Sequence, residues 1–389
     1  MNKKRTGIPL IADLASVSIG TVDRALHGRP GINEKTRNRI LRIARRIGYR
    51  PNAAARSLAK GKHVRIGVCV PREIAYFYDE LWEGIGDEVN RYYGRGAEFV
   101  LVAVPELGKG ERSAFKKLLE SSLDGIIVTP GNPEAMTPLI DSAEEKGIRI
   151  VCVSTDAPAS RRSSVVCIEP RLNGLIAGEL MANFVPAGSK VAIVTGMLKT
   201  VDHYEKVEGF TASFSEQSDG GQIVAVIEGH EHPDESFRKT RQMLQSQPQL
   251  AGIYVNTVNC LPVCRALAAT DRVHKIRLIT TDLFGEMIPL LNSGAIAASI
   301  HQKPYAQGQL AVRSLAEHLL HGADLSGMQH LNPNIVLRSN WHLFREAHRN
   351  TSGRRTAAAG KDGYGRLTKP VNVEFEVAGR RLRMASDVS

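Results

Sequence analysis

The sequence predicts a mixed α/β chain in two parts, an all-α head of three short helices and a body of parallel sheets divided into two lobes. Charge is the first observation: residues 1–62 carry 15 Lys/Arg against 3 Asp/Glu, whereas residues 63–348 carry 27 against 33. A basic head on a mildly acidic body is the asymmetry expected when only the head meets a polyanion, although solvated basic helix faces would leave the same count. Periodicity is the second: it is helical through the head, and from residue 64 strand-like and helix-like runs alternate. Length is the third, since 389 residues exceed the about 100 to 200 residues of one domain.

The first helix is predicted over residues 8–15, where Ile8, Ile11, Ala12 and Ala15 share a face and Pro9 falls in the first turn. Ser18 is a candidate N-cap for a second helix, whose Val22, Ala25 and Leu26 make the buried side. Ile19, Gly20, Thr21, Asp23 and Arg24 are left facing out. A Gly inside a helix costs about 1 kcal/mol relative to Ala, so an exposed Ile beside it makes little sense for stability alone. Close approach to another surface explains both. Gly28, Arg29, Pro30 and Gly31 break the helix, and Asn33 can cap the next. Its apolar stripe is Ile40, Ile43, Ala44 and Ile47, with Arg37, Arg39, Arg42, Arg45 and Arg46 on the other faces. Three short helices with a tight turn between the first two form a helix-turn-helix, whose second helix enters the major groove of DNA.

Val17-Ser18, Thr21-Val22, Arg24, Gly31, Thr36-Arg37, Ile40 and the run from Gly48 to Leu58 resemble, in order and spacing, the lactose-repressor (LacI) family of bacterial regulators. The likeness extends to about residue 345. It implies a helix-turn-helix DNA-binding domain over 1–50, a hinge helix and linker over 51–62, a two-lobed effector-binding and dimerisation domain over 63–345, and a basic tail over 346–389. It places Ile19, Gly20 and Arg24 where the family reads base edges, and Ser18, Thr21 and His27 where it touches phosphates. Arg24 has the geometry for a bidentate contact to guanine. Residues 52–59 are too short to hold a helix in water unaided. The family folds this hinge helix on operator DNA, pairs it with its copy in a homodimer and wedges a leucine into the minor groove; Leu58, followed by Ala59, stands there. Leu10, Ser16 and Asp23 depart from the family, which has Asp, Gly and a phosphate-facing Ser at those positions. Phosphate would repel Asp23, so it is read as orienting Arg24 or accepting from a cytosine amino group.

In the body, strands are predicted over 64–70, 99–104, 125–129, 148–153, 190–195, 223–228, 252–255, 277–281 and 295–301, with amphipathic helices such as 79–92, 133–146 and 171–184 between them. Repeated βα units imply parallel sheets covered by helices. Ligands in such folds sit off the carboxyl ends of strands, which selects residues 72–78, 154–156, 197–206, 256–259, Asp282 and 302–305.

The body also resembles the sugar-binding proteins of the periplasm, especially the ribose-binding type. The resemblance implies effector contacts from Phe77 and Tyr78, Asn256, Asp282 and Gln302. Ser154 stands where sugar binders often have Asp, with Asp156 nearby; His203 or Tyr204 stands where they have Arg; Glu169-Pro170 replaces Asp-Asn at the first crossover. Without that Asp and Arg, the expected effector is a polyol, sugar or sugar derivative other than simple ribose. Each has a plainer reading: Asp282 could simply cap the helix after its strand, Phe77 and Tyr78 could be core, and His203 could be a surface residue. Lys206 and Arg171 read as solvent or lobe-to-lobe charges.

The five cysteines lie mostly in apolar runs and read as core residues, with no spacing suited to zinc. No phosphate loop, zinc-protease motif or nucleophile elbow occurs, so neither an enzyme nor a cofactor is expected. The opening residues lack an apolar segment and no run approaches membrane-spanning length, which leads us to expect a cytoplasmic protein. A sugar-binding component of a transport or sensing system shares the body but has no use for the head. Past residue 349 the chain turns basic and Ala/Gly/Ser-rich, then 371–377 and 380–384 alternate as a hairpin would. That hairpin could dock on the body, add affinity for DNA or stay unstructured; the sequence does not choose.

Overall fold

The computed structural model describes residues 8–26, 30–47, 63–72, 76–325 and 327–344, and the backbone of 374–377 and 380–383. The chain forms two compact units, Met1–Lys60 and Gly61–Ser389. In the first, α1 (Ile8–Ala15), α2 (Ile19–Leu26) and α3 (Glu34–Arg46) bury Ile11, Ala12, Ala15, Val22, Ala25, Ile40, Ile43 and Ala44 against one another. Ser18 caps α2, its Oγ accepting from the Thr21 amide at 3.2 Å. Asn33 caps α3 in the same way, accepting from the Thr36 amide at 2.8 Å; each cap contributes about 1 kcal/mol. Ser16 turns the chain between α1 and α2 at φ 50°, the left-handed region that glycine occupies without strain.

The second unit alternates strands and helices as its periodicity predicts. Its first lobe holds β1 (Val64–Pro71), α4 (Phe77–Tyr92), β2 (Ala97–Val104), α5 (Glu111–Leu119), β3 (Gly125–Val128), α6 (Pro133–Glu145), β4 (Arg149–Val153) and β5 (Ser164–Ile168). The chain then crosses to a second lobe of α7 (Pro170–Phe184), β6 (Lys190–Thr195), α8 (Val201–Gln217), β7 (Gln222–Glu228), α9 (Pro233–Ser246), β8 (Leu250–Val255), α10 (Cys260–Ala269), β9 (Arg277–Thr281), α11 (Met287–Ser293) and β10 (Ala298–His301). It returns through α12 (Pro304–His321), packed on α4, to β11 (Gly327–Leu331), and crosses a third time to β12 (Asn334–Val336). The strand orders are β11-β5-β4-β3-β1-β2-β13-β14 and β12-β10-β9-β8-β6-β7. Among the described strands, all pairings but the antiparallel β10–β12 and β13–β14 are parallel.

Sequence reasoning misses β5, β11 and β12. β5 is a five-residue fully buried run, which shows no alternation, and β11 and β12 are short edge strands carrying Gln329, His330 and Asn334. The tail strands β13 (Glu374–Val377) and β14 (Arg380–Arg383) do form a hairpin. Of the three placements open to it, the structure has docking on the body, with Phe375 paired to Leu101 at the edge of the first sheet.

Candidate functional site

In the head, α2 presents two faces of opposite character. Val22 and Ala25 are buried, while Ile19 is 57% exposed and Gly20 and Arg24 are open to solvent. Ser18 Oγ and Thr21 Oγ1 lie 2.9 Å apart beside them. A Cβ on Gly20 would meet nothing nearer than Ser18 Oγ at 3.8 Å, so packing within the head does not require glycine there. The outward face of α2 is thus flat, partly apolar and basic at Arg24. His27, Leu58 and Ala59 lie outside the described residues.

In the body, the carboxyl ends of both sheets and the first turns of α4 and α8 line a cavity, at the strand-end position where ligands of such folds sit. The lobes meet across it. Thr200 Oγ1 donates to the Gly131 carbonyl at 2.7 Å, the Asp202 amide donates to Thr155 Oγ1 at 3.3 Å, and Tyr76 Oη donates to Glu286 Oε1 at 3.0 Å.

Position on α8 decides much of the lining. This helix packs on α7 through glycines: a Cβ on Gly174 would fall 2.2 Å from the Lys206 carbonyl oxygen, and one on Gly209 would fall 2.1 Å from that of Arg171. The close approach sets α8 so that Asp202, His203 and Lys206 face the cavity. Lys206, only 1% exposed, donates to Asp202 Oδ2 and to Gln302 Oε1, both at 2.6 Å. The Met197 amide donates to His203 Nδ1 at 3.0 Å, which leaves the Nε2 proton facing Glu231 Oε1 at 3.3 Å. Glu231 also accepts from Thr257 Oγ1 at 2.6 Å and Asn259 Nδ2 at 2.9 Å. Asn256 donates to the His203 carbonyl at 3.1 Å.

Among the residues singled out from sequence, Phe77, Tyr78, His203, Asn256 and Gln302 come together on the cavity wall, the two rings meeting edge to face at 5.0 Å. Three do not. Tyr204 is 50% exposed, because one residue along a helix turns about 100° away from its neighbour. Asp156 pairs instead with Arg162, accepting from Nη2 at 2.5 Å. Asp282 stands behind the wall, accepting from the Gln302 amide at 3.0 Å and from Gln302 Nε2 at 2.7 Å. Burial pushes its carboxyl up to about 6, against the opposing pull of His301 and Lys206. Conversely, Lys206 is no solvent charge: it is the cation of this wall. Thr155, Thr200, Asp202 and Thr257, which lie in the strand-end segments without having been singled out, also line the cavity, and Glu231 lies outside those segments and was missed. The i,i+4 spacing of Asp202 and Lys206 was a usable signal, and the strand-end rule applied to β7 would have reached Glu231.

Comparison with known proteins agrees with both halves. The family model described as bacterial regulatory proteins, lacI family, matches residues 9–52, and the periplasmic binding protein domain matches residues 66–323. Catabolite control protein A of Priestia megaterium is 27% identical over 249 residues, 64% of this chain and 72% of that protein. The ribose operon repressor of Halalkalibacterium halodurans is 24% identical over 253 residues, 65% and 72% of the two chains. Among solved structures, a glucose-galactose binding protein from Geobacillus stearothermophilus superimposes with a TM-score of 0.66 at 26% identity, over 72% of this chain and 99% of its own. A solute binding protein from Bacillus halodurans with bound myo-inositol gives 0.67 at 18% identity, over 73% and 98%, a likeness of fold. Among the described residues no helix is long and apolar enough to cross a membrane. The chain joins a DNA-binding domain of the lacI family of bacterial regulatory proteins to a body that belongs to the periplasmic binding protein domain family.

Proposed function

We propose that this regulator is a cytoplasmic repressor that binds a pseudo-palindromic operator as a homodimer and is switched by a sugar or polyol in the interlobe cavity, which it binds without transforming. One observation carries the reading: a helix with an exposed Ile19, Gly20 and Arg24 stands on the same chain as a cavity walled by buried hydrogen-bonding groups. The first is suited to a groove, since it offers close approach and a guanidinium for guanine. The second is suited to hydroxyls, since a dry site charges about 1 to 3 kcal/mol for each polar group left unpaired. Ligand closes the lobes, and closure acts on the head through residues 51–62, which the family uses as a hinge. Names of relatives support the reading: one is a ribose operon repressor, and one structural neighbour holds myo-inositol.

A gel-shift titration of the protein on its own upstream DNA, with and without candidate sugars, tests both halves. Arg24→Ala is expected to lose sequence preference, by about 1 to 3 kcal/mol of discrimination, while keeping weak salt-sensitive binding through phosphates. Unchanged operator affinity in that variant would remove α2 from the groove.

A further inference from the structure

The geometry points to Asp202 as the residue that sets the charge of the ligand: the cavity takes a neutral or amine-bearing polyhydroxyl molecule and rejects sugar phosphates and sugar acids. The inference rests on the sugar or polyol reading of the cavity. Two carboxylates, Asp202 and Glu231, line it against one ammonium, Lys206, and among the described residues no arginine does. The ammonium is already engaged, with Asp202 Oδ2 and Gln302 Oε1 both at 2.6 Å. A phosphate or carboxylate entering beside it would meet the Asp202 charge at the same contact, between side chains that are both buried.

Hydrogen-bond sense leads the same way. Asp202 Oδ1 and Asn256 Oδ1 are buried acceptors with no donor among the described residues, on side chains that are themselves nearly or wholly buried. Ionised carboxylate and phosphate oxygens only accept, so they cannot fill these atoms. Hydroxyl and ammonium groups donate, and can. Glu231 differs in this respect, because Thr257, Asn259 and His203 surround its oxygens; it adds charge without an open acceptor. Among the described residues, Asp202 alone combines the two roles. It also occupies the first turn of α8, whose positive helix end would otherwise favour an anion.

The test is a calorimetric titration of the full chain with matched probes: neutral pentoses, hexoses and inositol, their phosphates, the uronic acids and the 2-amino sugars. A neutral or amino sugar is expected to bind at least about 100-fold more tightly than its phosphorylated or uronate counterpart, as a like charge in a buried site demands. Asp202→Asn keeps an acceptor oxygen but leaves Lys206 unneutralised, so the ratio should shrink below about tenfold. Circular dichroism of the ligand-free variant reports its fold, and the wild-type ratio decides the matter even if D202N does not fold. A phosphate or uronate binding the wild type within about threefold of its neutral parent overturns the inference and leaves the sugar reading standing. An unchanged ratio in folded D202N removes Asp202 as its cause. If no probe binds, the sugar or polyol reading falls, and this inference with it.

Discussion

α2 and α8 both carry functional side chains on the face turned away from their packing, yet they do so in opposite media. On α2 the packing face is Val22 and Ala25, and the working face of Ile19, Gly20 and Arg24 is bathed in water. On α8 the working face of Asp202, His203 and Lys206 is buried as fully as Val207, Phe210 and Phe214 on its packing face. Water solvates every group that α2 exposes, so changing one alters recognition and little else. Each polar group that α8 buries must find a partner inside the protein, so changing one disturbs recognition and stability together. Substitutions in the two helices are therefore expected to separate into different kinds of effect.

Lys206→Ala puts this difference under the greatest load. It strands the Asp202 carboxylate in a buried site, and removing one partner of a buried pair costs about 3–5 kcal/mol. Trp82 and Trp341, the two tryptophans of the sequence, both lie in the body, so urea unfolding followed by their fluorescence reads that unit directly. Arg24→Ala should leave the same curve unmoved. A loss below about 1 kcal/mol for K206A would mean that the ion pair is effectively solvated, and α8 would then resemble α2.

Asp282 gives a second, pH-dependent measure of the buried side. Its carboxyl is raised to about 6, above the about 3.9 of an unfolded chain. Between these values the native state holds a proton that the unfolded chain has released. Stability from this group is therefore greatest below about pH 4, falls as pH rises to about 6 and is flat beyond, by up to about 3 kcal/mol in total. Asp282→Asn should abolish that component, seen as the difference between wild-type and variant unfolding midpoints from pH 4 to pH 7. Parallel curves would show that Asp282 titrates as an exposed acid does.

The same contrast explains what sequence could and could not reveal. Ile19 and Gly20 were legible because they violate local rules, an apolar side chain and a helix breaker on a face that packing does not use. The alternation of strands and helices was legible because most runs are apolar segments set between amphipathic helices, whereas β5, a five-residue fully buried strand, follows β4 with no helix between them to mark it. In the cavity, strand ends marked Phe77, Tyr78, Asn256 and Gln302, since the polypeptide there has only one place to point. Lys206 was read as a solvent or lobe-to-lobe charge because its burial comes from Gln302, which is 96 residues away, and from the glycine-mediated seat of α8 on α7. Asp156 and Asp282 were residues of the right type in the right loops, but Arg162 and Gln302 claim them. Arg162 lies only six residues from Asp156, whereas Gln302 reaches Asp282 from 20 residues away, a pairing that belongs to tertiary structure.

The finest test of α2 is Gly20→Ala, where fold and function ask for different residues. No atom but Ser18 Oγ, at 3.8 Å, lies near the added Cβ, and alanine is the better helix former by about 1 kcal/mol. The head of the variant should therefore be more stable by up to that amount, measurable as slower hydrogen exchange of the α1–α3 amides in the full chain. Operator affinity should fall by about tenfold all the same, because a methyl group on the face that enters the groove holds the helix away from the base edges by its own radius. A more stable head with weaker operator binding is the signature of a glycine kept for an external surface. Equal affinity, with the gain in stability intact, would mean that Gly20 is not at the DNA and that the outward face of α2 is open for another reason.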